Sequence, residues 1–459
     1  MPIWDTDSIC IALGLDVSCI SNFTGVSINT EAINAGGIFI GIKGKNVDGG
    51  IFWGKALEKG AALCIVNQDI EAHGDNIIKV QNTHDALIKL AEYKRNHCFK
   101  NVKVLGVTGS VGKTTIKNII SELTSKLYNV HFSKGNFNNH YGMPLSLANC
   151  PNDADLCILE MGMSASGEIS FLSKIAKPDI AIISCIAPAH LAQFNSIEEI
   201  ARAKAEIIDG MNDGGYVILN ADDEYSKFIR QLIETRFNIL TFGKKGDFKI
   251  EKYEFDGSKT KITLNLLGQK RDFLLNGFIS EHLAENILCA FAAIYAAQYE
   301  IDESFIDRIS ASHGRGHIIK TPSGAHIIDD SYNASPLSVK AAIKGLSVYA
   351  KQLSLRSIAI LGDMKELGKD SESMHREIAQ QLILNNIDFL FTIGELMEFT
   401  HSEVITRFHN KNLIALHFQE MDSLINTISG FLSNGDVALV KGSNSMKMHK
   451  IVDYLSMHK

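Results

Sequence analysis

The feature that most constrains this chain is an eight-residue stretch, Thr108-Gly109-Ser110-Val111-Gly112-Lys113-Thr114-Thr115, set between an apolar run at residues 102–107 and a helix-like run at 116–127. Strand, glycine-rich turn and helix, in that order, form the context in which a backbone can wrap a phosphate. The glycines let successive N–H groups point inward, and the helix N-terminus adds partial positive charge. Lys113 can neutralise β/γ-phosphate charge, and the Thr114 hydroxyl can bind Mg²⁺. The longer pattern G-x-x-x-x-G-K-[ST] asks for glycine at 107, where this chain has Val107; the shorter T-G-x-x-G-K-T form fits in full. A chance glycine-rich turn is the alternative, and the flanking strand and helix weigh against it.

A phosphate loop of this kind needs a parallel sheet behind it. Short apolar runs at 156–160, 180–185 and 216–220, each followed by a polar turn, supply that pattern. Beyond Ser312–Arg315 a second series begins, with runs at 325–329, 357–361, 389–393 and 437–441 separated by helical segments, the alternation of a doubly wound, Rossmann-like domain. The first hundred residues hold shorter runs at 37–42 and 62–66 between Gly- and Asp-rich turns, then a helical stretch at 83–98. A chain of 459 residues exceeds what one core supports. The expectation is an α/β protein of three domains: a small N-terminal domain at 1–100, a central P-loop-type parallel-sheet ATPase domain at 101–312, and a C-terminal doubly wound domain at 313–459.

Composition narrows the setting. A formal net charge of -7 argues against a nucleic-acid partner. The longest apolar stretches, 180–189 and 287–297, fall short of the roughly 18–20 residues that cross a bilayer. The first ten residues include Asp5 and Asp7 and lack the basic-then-apolar order of a signal peptide. The eight cysteines form no C-x-x-C pair and no zinc spacing, so they read as reduced thiols of a cytoplasmic protein.

Three further residues carry chemistry. Glu160 ends the run 156–160 and His190 follows the run 180–185, both at the carboxyl ends of expected parallel strands, where ligands of such sheets bind. Each also reads as an ordinary solvated side chain. Lys204 is less ordinary. Ser196 and Glu199 look like a capping box, Gly210 like a terminator, and Ile197, Ile200, Ala201, Ile207, Ile208 and Met211 mark an apolar stripe that also contains Lys204. A buried lysine is costly unless it is paired or altered. A snorkelling stem or an ion pair is the plainer reading.

Taken together these motifs resemble the Mur ligase family along essentially the whole chain. The loop 108–115 resembles the family's ATP loop. Leu159-Glu160-Met161-Gly162 matches its Mg²⁺-binding glutamate, and Ala189-His190-Leu191 its metal-binding histidine. Ala203-Lys204-Ala205-Glu206 matches the lysine that the family carbamylates. A carbamate is an anion with oxygen ligands and suits Mg²⁺, which an ammonium would repel. His282-Leu283-Ala284-Glu285-Asn286 resembles the H-x-x-x-N helix start, whose Asn serves adenine. Gly314-Arg315-Gly316 resembles the segment whose Arg reaches the phosphates. Asp329-Asp330-Ser331-Tyr332-Asn333-Ala334-Ser335-Pro336 resembles D-D-S-Y-N-A-N-P, with Asp330 on the ribose. The resemblance therefore implies ATP, two Mg²⁺ held by Thr114, Glu160, His190 and carbamylated Lys204, and catalytic roles for Lys113, His190, Lys204 and Arg315.

Within the family, three segments point to the member that adds D-alanyl-D-alanine to the UDP-muramoyl tripeptide. They are Gly135-Asn136-Phe137-Asn138-Asn139 with Gly142-Met143-Pro144, the D-D-S-Y-N segment, and Gly362-Asp363-Met364-Lys365-Glu366-Leu367-Gly368. The implied reaction joins these two small-molecule substrates through an acyl phosphate, in a protein read most simply as a monomer. Thr30 and Asp48 of a UDP-sugar-binding first domain, with Asn138, Asn139, Tyr332 and Asn333, are the implied substrate contacts. The chain departs from the family's S-x-D-[ST]-R at Ser27-Ile28-Asn29-Thr30-Glu31, from its G-H at Gly49-Gly50, and at Asn444, where Arg is common. A folylpolyglutamate synthase of the same superfamily and a regulatory or motor NTPase are the rival readings.

Overall fold

The computed structural model describes residues 2–15, 21–188, 191, 193–233, 236–407 and 413–457. Among these, three sheets and a two-stranded ribbon organise the chain. The central sheet has nine strands, and its middle is parallel. Lys103–Thr108 lies between Ile180–Ile183 and Leu156–Glu160, with Tyr216–Asn220 and Asn238–Phe242 beyond the former and Val130–Phe132 beyond the latter. Leu156–Glu160 and Ile180–Ile183 are buried at every position, because helices cover both faces. One apolar layer joins this sheet to the helices Lys113–Thr124 and Glu281–Ala297, and a second lies on the opposite face.

The central sheet is larger than its apolar runs foretell. Phe248–Phe255, Lys259–Leu266 and Gln269–Asn276 extend it as an antiparallel meander. Their charged residues alternate with buried ones such as Ile262 and Leu264, so no continuous apolar run marks them. The third sheet has six strands, with His326–Asp330, Asp436–Lys441, Arg356–Gly362, Phe389–Ile393 and Ile414–Phe418 parallel and His317–Lys320 antiparallel at one edge. Separate apolar layers on its two faces make it doubly wound. The first sheet has four parallel strands, Val26–Ser27, Gly37–Ile40, Ala61–Asn67 and Ile77–Val80. No helix among the described residues is long and apolar enough to cross a membrane.

The first sheet's unit is bound tightly to the central one. The Trp4 indole donates to Ala148 O at 2.8 Å. Asn149 accepts from Val26 N–H at 2.8 Å and donates back to Val26 O at 2.9 Å. Lys94, fully buried, donates to Ile3 O at 2.8 Å and Asn152 Oδ1 at 2.6 Å. The third unit instead meets the meander through aromatic packing: Tyr349 lies 5.7 Å from Phe255 and 5.2 Å from Phe278, ring centre to ring centre.

The helix that carries Lys204 shows how the sequence reading needed correction. Ser196 does cap Ile197–Ala205, accepting from Glu199 N–H at 3.2 Å. Glu199, however, takes the N–H of Asn195 at 2.9 Å, so the box closes one residue early. Gly210 does not end the helix through a left-handed backbone. Its role is close approach: a Cβ there would sit 1.9 Å from Ser173 O, and its N–H donates to Ser173 Oγ at 3.0 Å. Gly210→Ala is expected to force this turn off the helix Glu168–Ala176 and to destabilise the protein by about 1–3 kcal/mol, the usual cost of overpacking. Chemical denaturation of the two proteins side by side measures it.

Candidate active site

The phosphate loop owes its shape to two glycines that are crowded as well as twisted. Gly109, at φ +143°, would drive a Cβ to 1.9 Å from Ser184 Oγ. Gly112, at φ +91°, leads the helix Lys113–Thr124, and a Cβ there would meet Asn286 Oδ1 at 2.8 Å. The segment after the strand Ile180–Ile183 braces the loop from below. Ser184 Oγ donates to Val111 O at 2.5 Å, and Ser110 Oγ donates to Ala187 O at 2.9 Å. That segment runs on to His190, which lies outside the described residues together with the metal-ligand role expected of it. Ser110 to Thr115 line a cavity of about 1000 Å³. Thr108 and Gly109 stand behind its wall; Thr108 is buried, with no hydrogen-bond partner for its hydroxyl among the described residues.

Inside the loop, Lys113 folds back to donate to Gly109 O at 2.7 Å. Burial weakens its hold on the proton, and Glu160 opposes that effect. Thr114 Oγ1 donates to Glu160 Oε2 at 2.8 Å, and Asn138 Nδ2 donates to Glu160 Oε1 at 2.9 Å. A hydroxyl beside a buried carboxylate, both facing the cavity, is a donor set that fits a hard cation such as Mg²⁺. From the third unit, Arg315 Nη2 donates to Thr114 Oγ1 at 3.2 Å while its guanidinium lies 4.2 Å from the Tyr332 ring centre. Two separate sheets thus meet on one threonine.

Lys204 opens onto the same cavity with only 3% of its surface exposed. This excludes the snorkelling reading. Its amine forms no hydrogen bond or ion pair among the described residues, which sets the ion-pair reading aside there. Burial, aided by the charge of Lys113, lowers its pKa from 10.5 to about 7. Asn286 and His282, from the helix Glu281–Ala297, line the cavity beside the loop as their spacing foretold.

The third unit contributes three loops at the carboxyl ends of parallel strands. Asp330 Oδ2 is engaged by Lys441 Nζ at 2.6 Å, and the same amine donates to Asn333 O at 2.9 Å. Burial raises the Asp330 pKa and Lys441 counters it. Ser443 joins its loop to the next: its N–H donates to Asp363 O at 3.0 Å and its hydroxyl accepts from Lys365 N–H at 2.8 Å. Asp363 in turn accepts from the N–H groups of Leu396 and Met397 at 3.0 and 2.8 Å. Buried His375 accepts from Met364 N–H at 3.0 Å and donates to Ser371 O at 2.6 Å, which fixes a neutral ring. Tyr332 and Asn333 line the cavity, as do Asn138 and Asn139.

Not every expected residue converges. Thr30 and Asp48 lie in the first sheet's unit, away from the lining of this cavity. Asp48 accepts from Gly50 N–H at 2.8 Å and from Asn67 Nδ2 at 2.9 Å. Glu31, where the family pattern has Arg, bridges Lys55 at 2.7 Å and Lys59 at 3.1 Å. Three residues entered the site without notice from the sequence: Lys117, Lys441 and His375. Lys117 lies one helical turn from Lys113, a spacing that could have drawn attention to it.

Three family profiles cover most of the chain: Mur ligase family, catalytic domain, at residues 22–95; Mur ligase middle domain at 107–294; and Mur ligase, glutamate ligase domain, at 314–444. The chain is 34% identical over 460 residues to the UDP-N-acetylmuramoyl-tripeptide--D-alanyl-D-alanine ligase of Rickettsia prowazekii, covering 98% of this chain and 99% of that one. Its structure is similar to that of MurF from Acinetobacter baumannii, with a TM-score of 0.87, 25% identity and 100% of both chains covered. It is also similar to MurF ligase from Thermotoga maritima in complex with ADP, with a TM-score of 0.82, 28% identity and 94% and 97% of the two chains covered.

The neutral ring of His375 has a measurable consequence. Burial lowers its pKa below the ordinary 6.5, so on acidification the unfolded chain takes up this proton first. Stability is therefore lost as pH falls below about 6.5, and the slope is steepest before the folded protein also protonates. Replacing His375 by Gln is expected to flatten that limb by up to about 1.4 kcal/mol per pH unit, one proton's share. Urea denaturation of both proteins from pH 7.5 down to 5 checks it; parallel curves would remove His375 from this account.

Proposed function

The chain belongs to the Mur ligase family, and from that premise we propose that it joins D-alanyl-D-alanine to the UDP-N-acetylmuramoyl tripeptide at the expense of ATP. Condensing a carboxylate with an amine is uphill in water, and a carboxylate is a poor electrophile. The tripeptide's terminal carboxylate attacks the γ-phosphate of ATP, releasing ADP and forming an acyl phosphate. The amine of D-alanyl-D-alanine attacks the acyl carbon, loses its proton, and inorganic phosphate departs. The protein's share is positioning and charge neutralisation. The observation that carries this reading is the meeting of Arg315, Thr114 and Glu160, which assembles one polyanion-binding site from two units. The ADP complex of the Thermotoga maritima relative supports nucleotide use.

In this reading the N–H groups of residues 109–115 and the amine of Lys113 hold the β- and γ-phosphates, and Arg315 leaves Thr114 to reach the transferring group. Asn286 lies where it can meet adenine, and Asp330 the ribose. Mg²⁺, when bound, neutralises phosphate charge. Thr114 and Glu160 are one fitting set of ligands, and His190 with carbamylated Lys204 the second. Lys204 suits carbamylation because its buried amine, with a pKa of about 7, is substantially neutral at physiological pH and open to CO₂. Tyr332, Asn333, Asn138 and Asn139 face the acyl and amine substrates, while Thr30 and Asp48 belong to a separate UDP-sugar region. The protein acts as a cytoplasmic monomer, in three domains at 1–100, 101–312 and 313–459. Phosphate release from ATP, assayed with and without both substrates, tests the whole: release that needs both supports the ligase. Release without them would favour a regulatory NTPase, and indifference to these two acceptors a folylpolyglutamate-type ligase.

Arg315→Ala is expected to slow phosphate release about a hundredfold or more, the scale of losing one charge-stabilising donor, while UDP-peptide affinity stays nearly unchanged. Kinetics alongside calorimetric titration separate the two; weakened peptide binding with intact chemistry would contradict the placement. Lys204→Ala should abolish turnover, and acetate should partly restore it by placing two oxygens where the carbamate stood. Acetate should do nothing for Lys113→Ala, where the missing charge is positive and turnover falls at least about a hundredfold. Absence of rescue across an acetate series, with an unmodified ammonium at 204 in a nucleotide-bound crystal, would end the carbamate proposal.

A further inference from the structure

One buried amine in the site has no part in the mechanism above. Lys117 is 1% exposed, one turn along the helix from Lys113. Its Nζ donates to Ser133 O at 2.5 Å and to Gly135 O at 2.9 Å, and lies 3.7 Å from Glu160 Oε2. A lysine that only neutralised Glu160 would not need two backbone carbonyls from another segment. Those carbonyls open the stretch that leads to Asn138. There the Asn138 side-chain amide donates to Glu160 Oε1 at 2.9 Å, and the backbone carbonyl of Asn138 accepts from Gly162 N–H at 2.8 Å. Ser133 Oγ also accepts from Glu160 N–H at 3.3 Å. Asn136, Asn138 and Asn139 line the cavity. The amine thus stands at the base of a loop whose tip faces the cavity and whose middle grips the carboxylate.

We infer that Lys117 is a positioning residue that ties the phosphate-loop helix to the 133–139 segment, so that Glu160 and Asn138 are oriented as one unit. Removing it frees the base of the loop, and Asn138 then ceases to hold Glu160 in a single rotamer. Among the described residues, neither carbonyl accepts from another donor. The link to the cation rests on the reading of Glu160 as a metal ligand; the link to the loop does not.

The test compares the full-length protein with Lys117→Met, which keeps the stem and removes the donors, and Lys117→Arg, which keeps donors on a longer stem. Amide hydrogen exchange is read without ligand, and ADP binding is titrated with and without Mg²⁺. In Lys117→Met, exchange at 134–139 is expected to rise about tenfold or more while the strands Lys103–Thr108 and Leu156–Glu160 keep their protection. The Mg²⁺-dependent gain in ADP affinity should fall about 10- to 100-fold, the usual effect of losing a group that orients a metal ligand, with Mg²⁺-free binding little changed. Lys117→Arg should retain most of both properties. Exchange at 134–139 unchanged in Lys117→Met, or raised equally throughout the central sheet, overturns the proposal. If Lys117→Met does not fold, Lys117→Gln, whose amide reaches one carbonyl at most, is judged by the same local-against-uniform pattern. If the unmodified protein itself gains no ADP affinity from Mg²⁺, the metal reading of Glu160 fails, and the exchange pattern still decides the role of Lys117.

Discussion

Glu160 ends a fully buried strand, and its carboxylate gathers three neighbours from two parts of the chain. Thr114 comes from the phosphate-loop helix, Asn138 from the segment after Val130–Phe132, and Lys117 from one turn further along the same helix as Thr114. A hydroxyl, an amide and an amine therefore converge on one carboxylate at the inner end of the cavity. The parallel sheet places the loop, the glutamate and the Ser184–Ala187 brace at the carboxyl ends of adjacent strands, and this is why residues 46 apart can touch.

The third sheet answers with its own strand ends. Lys441, Ser443, Asp363 and His375 hold the loops after three parallel strands against one another through buried hydrogen bonds. Arg315 and Tyr332 project from that stiffened edge toward Thr114. The guanidinium stacks on the Tyr332 ring, so its reach across the cavity is restrained by a second residue of its own unit.

Much of this was legible from residue order because it depended on local rules. Thr108–Thr115 gave away the loop, since strand, glycines, lysine and helix are contiguous. Lys204 betrayed itself by falling on an apolar stripe. The failures share a cause: each depended on what lies across space. Gly210 read as a helix stop because a glycine's usual reason is its backbone freedom, and nothing in the sequence announces Ser173 O beside it. The meander at 248–276 alternates charged with buried residues, so it lacks the continuous apolar runs that revealed the parallel strands. Lys117 fits its helix as an ordinary polar residue until the carbonyls of Ser133 and Gly135 are seen. Thr30 and Asp48 lie in a unit whose residues at 29, 31 and 50 depart from the family pattern, and Glu31 there is occupied by Lys55 and Lys59.

The polar bonds that join the first sheet's unit to the central one bear on how divisible this molecule is. Trp4, Asn149 and Lys94 each have a partner across that boundary, in Ala148, Val26 and Asn152 respectively. Cut there, a fragment would expose an indole N–H that had been satisfied only by the missing piece, and would strip the Asn149 amide and the buried Lys94 ammonium of part of their partners, beside apolar side chains such as Leu145 and Ala148 that pack with the first unit. Successive stretches of the chain build separate sheets, yet the first two sheets share one interior. In evolutionary terms such a pair travels together: a recombination point near residue 100 would have to bring both faces of the seam, whereas the third unit meets its neighbours through aromatic packing, the Lys344–Glu281 ion pair and the reach of one arginine.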